Sequence, residues 1–264
     1  MTFGNETAMQ ILARMESLES TLADLRRSLA NVERRVEQEV PRLHASTYRA
    51  IESLISTYRH LDSDRVLPPL SGPIGGWAIS ADMALLLAEL LRRYRPPVVV
   101  ELGSGSSTVL LGLLLREMGG TQLVSLEHDP AWYAQTLEDV HAADLGEFVD
   151  LRYAPLAPVQ LGGTEYAWYS TSALVDLNEI AMVLVDGPPG YLGPHSRYPA
   201  GPLLAPRLAQ GCLVVVDDFS RAEEQEMVTR WVQETDMTLL EEHTWHGKGA
   251  AVLRVSCAEV LDGA

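Results

Sequence analysis

Short apolar runs that alternate with helical stretches constrain the fold of this chain more than any other feature. Three runs have the apolar character of parallel strands that are covered on both faces: Val98–Leu102, in which Glu101 is the one charged residue, Ala181–Val185 and Leu213–Val216. Gln122–Leu126 and Phe148–Tyr153 supply two further strands. The stretches between them have helical patterns: Thr108–Met118, Ala131–His141, Pro202–Ala209 and Arg221–Glu234. This alternation predicts an α/β fold with a Rossmann-like, doubly wound sheet.

The end of the chain predicts how this sheet closes. Met237–Glu242 and Ala250–Val255 flank a short polar connection, which indicates an antiparallel hairpin and brings the expected sheet to seven strands. A helix over Ala81–Tyr94 precedes the first strand, and Pro96 stops it. We therefore expect one Rossmann-like domain over residues 70–264.

The N-terminal segment has a different pattern. Its apolar residues alternate spacings of four and three, as in the a and d positions of a heptad repeat: Ile11, Met15, Leu18, Leu22, Leu25, Leu29, Val32 and Val36. The pattern predicts a coiled-coil helix over residues 1–43, a helical linker over 44–69 and a homo-oligomer. An amphipathic helix that folds back on its own domain is the alternative.

Charge and composition exclude several classes of function. The net charge is −16, and residues 61–264 carry 28 acidic against 12 basic residues, so we expect no nucleic-acid binding. No apolar run approaches the roughly 20 residues that cross a bilayer, and the N-terminus has no basic-then-apolar pattern. Neither Cys212 nor Cys257 stands at a metal-ligand spacing. These features predict a cytoplasmic protein without a membrane partner.

Glycines and acids gather where the predicted strands end. The turn after the first strand reads Gly-Ser-Gly-Ser-Ser from Gly103, and Glu101 stands two residues before it. Glu127 follows the second strand. Ligands of open parallel sheets bind beyond the carboxyl ends of the strands, so the turn and Glu127 predict a nucleoside cofactor, with Glu127 on the ribose. A plain turn and a solvated acid are the alternative.

These motifs resemble those of the class I S-adenosylmethionine-dependent methyltransferases over residues 70–256. A dinucleotide fingerprint needs glycine where this chain has Thr108, which disfavours a nicotinamide-dependent oxidoreductase. The resemblance implies that the methionine part of the cofactor is held by Glu101, Gly103, Gly105 and Ser106. It places the ribose on Glu127 and the adenine near Arg152–Pro155. Ser104, His128 and Asp186 complete the expected cofactor contacts.

A second group of acids follows later strands. Asp186 comes after the fourth strand, and Asp217 and Asp218 come after the fifth. Three carboxylates at neighbouring strand ends predict a Mg²⁺ or similar divalent site. The pattern resembles that of metal-dependent O-methyltransferases of the catechol and natural-product sugar type. Helix capping by Asp217 or Asp218 and turn formation by Asp186 are the alternative.

The acceptor side is the least defined part of the expected site. The related sugar enzymes often carry a base two or three residues after the first metal acid, but this chain has Pro188 and Pro189 there. The candidate catalytic residues are therefore His195, as the general base, and Asp186. Candidate acceptor contacts are Trp77, Tyr191 and Arg197. His246 and Lys248 are alternatives for orienting the substrate.

Together these patterns predict an O-methyltransferase that acts on a hydroxyl of a sugar or catechol-like small molecule with the help of a divalent metal. In a metal-independent methyltransferase the three aspartates would instead orient the substrate directly. From a different class, the chain could be a non-catalytic assembly module, although a purely structural domain has no need of five acids at its strand ends.

Overall fold

The computed structural model describes residues 14–15, 21–32, 79–245 and 248–256. The chain divides into two compact units, Met1–Arg49 and Ala50–Ala264. In the first unit, residues 14–15 and 21–32 are helical. The described residues of the heptad pattern are exposed: Met15, Leu22, Leu25, Leu29 and Val32. A helix is therefore present, and its assembly into a coiled coil stays a prediction. The expected linker over 44–69 lies outside the described residues.

The second unit alternates strands and helices as the sequence predicts. Its strands are β1 Val98–Leu102, β2 Gln122–Glu127, β3 Val149–Tyr153, β4 Leu156–Leu161, β5 Thr164–Tyr169, β6 Ile180–Val185, β7 Leu208–Asp217, β8 Met237–Thr244 and β9 Gly249–Val255. Its α-helices are α1 Ala81–Tyr94, α2 Ser106–Met118, α3 Pro130–Ala142, α4 Ala200–Leu204 and α5 Ala222–Glu234.

Seven of these strands form one sheet in the order β3-β2-β1-β6-β7-β9-β8. The first five in this order pair in parallel, and β9 pairs antiparallel with both β7 and β8. The chain order reverses between β1 and β6, which is the point where doubly wound sheets bind their ligands. The predicted seven-stranded sheet with a C-terminal antiparallel hairpin is confirmed.

Two apolar cores cover the two faces of the sheet. Because successive side chains of a strand point to opposite faces, Val99 belongs to the core formed with α1 and α2, while Val100 belongs to the core that contains Trp231 of α5. Both valine side chains are fully buried. Burial on both faces explains why the central strands are continuous apolar runs rather than alternating ones.

A separate β4–β5 hairpin is the main element that the sequence patterns do not predict. The strands pair antiparallel around Gly162 and Gly163, and β5 buries Tyr166, Trp168 and Tyr169. These aromatic residues anchor the hairpin on the second core.

The helix expected over Pro202–Ala209 is shorter and earlier than predicted. It forms as α4, Ala200–Leu204, and a single 3₁₀ turn over Ala205–Arg207 leads into β7, which begins at Leu208. Proline at position 206 cannot donate a helical hydrogen bond, and the chain turns there into the strand. Among the described residues, no helix is long and apolar enough to cross a membrane.

Candidate active site

The register of the sheet brings the predicted site residues to one edge. Leu102 pairs with Leu126 on one side and with Val185 on the other, and Val185 pairs with Val216. The residues that follow these positions therefore emerge together beyond the carboxyl ends of the strands. The main chain continues the ladder for one more step, since Gly103 and Asp186 donate backbone hydrogen bonds of 3.0 Å to Leu126 and Leu102 respectively.

The glycine turn needs glycine at its first position. Gly103 has a φ of 97°, which a side chain would strain, and a Cβ there would stand 3.3 Å from the backbone nitrogen of Gly187. The turn then closes on α2, because the Gly105 N–H donates to Thr108 Oγ1 at 3.0 Å. Thr108 thus stabilises the start of the helix at the place where a dinucleotide fingerprint has its third glycine.

Glu127 lies directly beside this turn. Its Oε2 accepts hydrogen bonds from the backbone N–H of Ser104 at 3.0 Å and from the Ser104 hydroxyl at 3.2 Å. Its Oε1 accepts from the backbone N–H groups of His128 and Asp129 at 2.7 and 2.8 Å. Burial raises the pKa of Glu127, but the hydrogen bonds from His128, Asp129 and Ser104 outweigh it, so the pKa is lowered. The carboxylate is ionised and held in one orientation.

Glu101 lies deeper, in the interior of the sheet. It is fully buried, and its Oε2 accepts hydrogen bonds of 2.6 Å from the hydroxyls of Thr108 and Ser125. Its Oε1 has no hydrogen-bond partner among the described residues. Burial raises the pKa of Glu101 to about 7, although the hydroxyl groups of Ser107, Ser125 and Thr108 act in the opposite direction.

The three aspartates that follow β6 and β7 converge as predicted. One carboxylate oxygen from each of Asp186, Asp217 and Asp218 lies within 4.8 Å of the others. Burial, and then the charge of Asp217, raise the pKa of Asp186 well above its ordinary value, and burial also raises the pKa of Asp217. We call these three residues the aspartate cluster.

Three basic side chains contact the aspartate cluster, and the most exposed of them is Arg221, whose guanidinium lies 3.0 Å from Asp218 Oδ2. Arg197 is buried, and one guanidinium nitrogen lies 3.2 Å from Asp186 Oδ1 and 3.1 Å from Asp218 Oδ2. Its other terminal nitrogen donates to the backbone oxygen of Asp217 at 3.1 Å. Lys248 Nζ lies 3.5 Å from Asp217 Oδ2 and 3.6 Å from Asp218 Oδ1. The negative charge of the cluster is therefore partly balanced from within the chain.

The cluster nevertheless has the donor set that a hard divalent ion requires. Three carboxylates offer oxygen atoms within the span of one coordination sphere. Asp217 Oδ1 is buried and has no hydrogen-bond partner among the described residues. A buried acceptor without a donor is costly, so this oxygen marks a place where a cation fits.

The remaining predicted residues take varied positions. His128 Nδ1 lies 3.0 Å from Glu127 Oε1. His195 Nε2 lies 3.4 Å from Glu226 Oε2, and Tyr191 is 73% exposed. Trp77 and His246 lie outside the described residues. The roles of His195 as a base and of Tyr191 and Arg197 as acceptor contacts stay predictions, and the structure places Arg197 against the cluster acids.

The sequence patterns do not assign several residues that shape this edge. Ser125 stabilises Glu101, and Glu224 lies 4.0 Å from Arg197 and 3.7 Å from Arg221. The sequence does single out Tyr166, Trp168 and Tyr169 after Gly162-Gly163, either as the lining of an acceptor pocket or as the anchor of a surface segment. In the structure all three are buried in the second core, and the Tyr169 ring lies 6.1 Å from that of His128 between centroids.

Comparison with known proteins agrees with this geometry. Residues 100–219 match a family model described as a methyltransferase domain. Among curated proteins, none matches the chain.

Three solved structures are similar in fold. The O-methyltransferase TomG of Streptomyces achromogenes, involved in tomaymycin synthesis and in complex with SAM, is 16% identical with a TM-score of 0.52, over 77% of this chain and 90% of that one. The O-methyltransferase of Bacillus cereus, in complex with SAH, is 13% identical with a TM-score of 0.52, over 80% and 91%. The SAH-bound methyltransferase PaMTH1 of Podospora anserina is 12% identical with a TM-score of 0.56, over 78% and 96%. At these identities the similarity shows a shared fold.

Proposed function

We propose that this chain transfers a methyl group from S-adenosylmethionine to an oxygen atom of a small-molecule acceptor, because residues 100–219 match a family model described as a methyltransferase domain. The observation that carries the proposal is the position of Glu127, whose ionised carboxylate is fixed beside the glycine turn by Ser104. The bound SAM and SAH in two O-methyltransferases of the same fold support this choice of cofactor.

The residues of the glycine turn would hold the methionine part of this cofactor, and Glu127 would hold its ribose. The ionised carboxylate of Glu127 accepts hydroxyl donors, as a ribose requires. The N-terminus of α2 presents backbone N–H groups beside Gly105 and Ser106, which suit a carboxylate. Glu101, with one oxygen still without a partner among the described residues, would face the ammonium group of the methionine part.

S-adenosylmethionine supplies an electrophilic methyl group, so the protein has to position the acceptor oxygen in line with it and to accept a proton. The cofactor end of the site lies after β1 and β2, whereas the aspartate cluster lies after β6 and β7. Since β1 and β6 are neighbours in the sheet, these two groups lie side by side at its edge. The cluster is therefore the part of the site that we assign to the acceptor.

We propose further that Asp186, Asp217 and Asp218 hold a divalent metal ion. Such an ion would supply Lewis acidity that lowers the pKa of an acceptor hydroxyl. The three oxygens within 4.8 Å and the unpartnered Asp217 Oδ1 support the assignment. A pair of adjacent hydroxyls is a good oxygen ligand for such an ion, which favours a catechol or a sugar diol as the acceptor.

The contacts of Arg197 and Lys248 favour a second candidate. If the basic side chains of this edge alone balance the aspartates, the enzyme is metal-independent and the carboxylates orient the acceptor directly. The two candidates differ in one measurable property, because only the first loses activity when divalent ions are removed.

The experiment measures SAH formation from S-adenosylmethionine with a panel of catechols and sugar diols, in Mg²⁺ and in a chelator. We expect turnover with at least one diol in Mg²⁺ and its loss on chelation. The Asp217→Asn variant should lower turnover by about 100-fold or more, since it weakens a metal ligand. Asp236→Asn, at an exposed site, is the matched control. Turnover that chelation leaves unchanged would favour the metal-independent candidate, and no turnover on any diol would contradict the proposed acceptor class.

A further inference from the structure

Arg197 and Lys248 are held at the aspartate cluster in different ways. The Arg197 side chain is 5% exposed, and it donates to Asp186, Asp218 and the backbone oxygen of Asp217 at 3.1 to 3.2 Å. The Lys248 side chain is 20% exposed, and its contacts with Asp217 and Asp218 are longer, at 3.5 and 3.6 Å. Arg197 is a fixed part of the cluster, whereas Lys248 makes longer ionic contacts with it.

The balance of charge at the aspartate cluster also depends on whether Lys248 stays when a divalent ion binds. The three aspartates carry three negative charges when ionised, and Arg197 and Lys248 balance two of them. Arg221 lies 3.0 Å from Asp218 Oδ2 and 3.7 Å from Glu224 Oε1, so Arg221 and Glu224 together add no net charge. A divalent ion together with Arg197 balances all three aspartates, but an ion together with both Arg197 and Lys248 leaves an excess positive charge among buried groups, which is unfavourable.

The contact distances also indicate that Lys248 and a divalent ion would share the same carboxylates. A magnesium ion binds carboxylate oxygens at about 2.0–2.1 Å. Lys248 Nζ contacts two of the three carboxylates that would supply these oxygens. An ammonium group and a divalent ion on the same carboxylates repel each other strongly in a poorly solvated site.

We propose that Lys248 and the divalent ion are alternative occupants of the aspartate cluster, so that the ammonium group leaves Asp217 and Asp218 when the ion binds. The inference rests on the metal site of the proposed function. Lys248 thereby stabilises the metal-free cluster and sets the affinity for the ion, and Arg197 stays in place in both states.

The sequence offers a direct way to test this exchange, because Lys248 is the only lysine of the chain. An amine-specific reagent therefore modifies Lys248 and the N-terminal amino group alone, and mass spectrometry of the two peptides gives both rates. We expect saturating Mn²⁺ to raise the rate at Lys248 several-fold while the N-terminal rate, the internal control, stays constant. An unchanged or slower rate at Lys248 with Mn²⁺ bound would overturn the proposal.

Variants of the full-length chain give an independent readout, with Mn²⁺ binding measured by electron paramagnetic resonance. Lys248→Met should bind Mn²⁺ at least fivefold more tightly than the wild type, since the competing cation is absent. Lys248→Arg, which keeps the charge, should stay within twofold, and Asp217→Asn should bind weakly. Equal affinity of the Lys248→Met variant and the wild type would overturn the exchange while leaving the metal site in place. If neither binds Mn²⁺, both the exchange and the metal site are wrong.

Discussion

Glu101 places a carboxyl group in the interior of the sheet, where two hydroxyls donate to one oxygen and the other has no partner among the described residues. Burial raises its pKa to about 7 from an ordinary value of 4.5. Between these two values the folded chain keeps a proton that the unfolded chain has lost. The stability that this proton provides is complete below pH 4.5 and disappears as the pH rises through 7.

We predict that Glu101→Gln removes this part of the pH dependence. The amide of the variant can still accept hydrogen bonds from Thr108 and Ser125, but it cannot ionise. Between pH 5 and pH 8 the free energy of unfolding of the wild type should fall by about 2.5 kcal/mol relative to that of the variant. Urea unfolding of the cofactor-free protein at both pH values measures it, with the exposed Glu138→Gln as control. If the free energies of unfolding of the variant and the wild type differ by the same amount at both pH values, Glu101 does not titrate in this range.

Some residues of the site can be predicted from the sequence, and others cannot. The sequence predicts Glu127 and the three aspartates, because the end of a parallel strand is a fixed place in a doubly wound sheet. It does not predict that Arg197 and Lys248 approach these acids. Arg197 comes from the connection between β6 and β7, and Lys248 comes from the connection between β8 and β9. No local pattern encodes their contacts, since they depend on how the β6–β7 and β8–β9 connections fold over the ends of β6 and β7.

Gly201 of α4 packs directly against Trp231 of α5. A Cβ at this position would collide with the indole ring of Trp231, which is fully buried and donates to the backbone oxygen of Tyr198 at 2.9 Å. The ring has no room to withdraw, because it is part of the second core. Close approach of the two helices therefore requires glycine at position 201.

We predict that Gly201→Ala lowers the free energy of unfolding by about 1–3 kcal/mol, the usual cost of overpacking. Gly146→Ala is the matched control, because nothing lies within 4 Å of its Cβ position. This control should be neutral or stabilise the protein by up to about 1 kcal/mol. Chemical unfolding of both variants measures the difference. Equal stability of the two variants would mean that α4 moves freely away from α5.

The strands of the seven-stranded sheet and the helices that cover it can be predicted from the sequence, since a buried parallel strand and an amphipathic helix have distinct apolar patterns. The β4–β5 hairpin has weaker signals. Its first strand, Leu156–Leu161, contains proline, and its second begins with two polar residues. The hairpin is stabilised by packing on the second core rather than by its own pattern, which is why the sequence alone does not place it.

For the whole molecule, the N-terminal heptad pattern leads us to propose self-association. Its described apolar residues are exposed in the single chain, which is unfavourable unless a partner covers them. We predict that a chain with both Leu22→Glu and Leu29→Glu, at two a positions, has a smaller mass in light scattering after size exclusion than the wild type. Ala23→Glu with Ala30→Glu adds the same charge at b positions and should leave the mass unchanged. A wild-type monomer would contradict the proposal.

The function of the whole molecule depends on its cofactor site, and isothermal titration with S-adenosylmethionine measures whether that site binds the cofactor. The full-length chain should bind S-adenosylmethionine and SAH at one site per chain, both in Mg²⁺ and in a chelator, and should not bind NAD. The Glu127→Gln variant should lose about 10-fold or more in affinity, as expected for hydrogen bonds to a charged group, while Glu138→Gln binds normally. Absence of saturable S-adenosylmethionine binding by the folded wild-type chain would contradict the assignment of the glycine turn and Glu127.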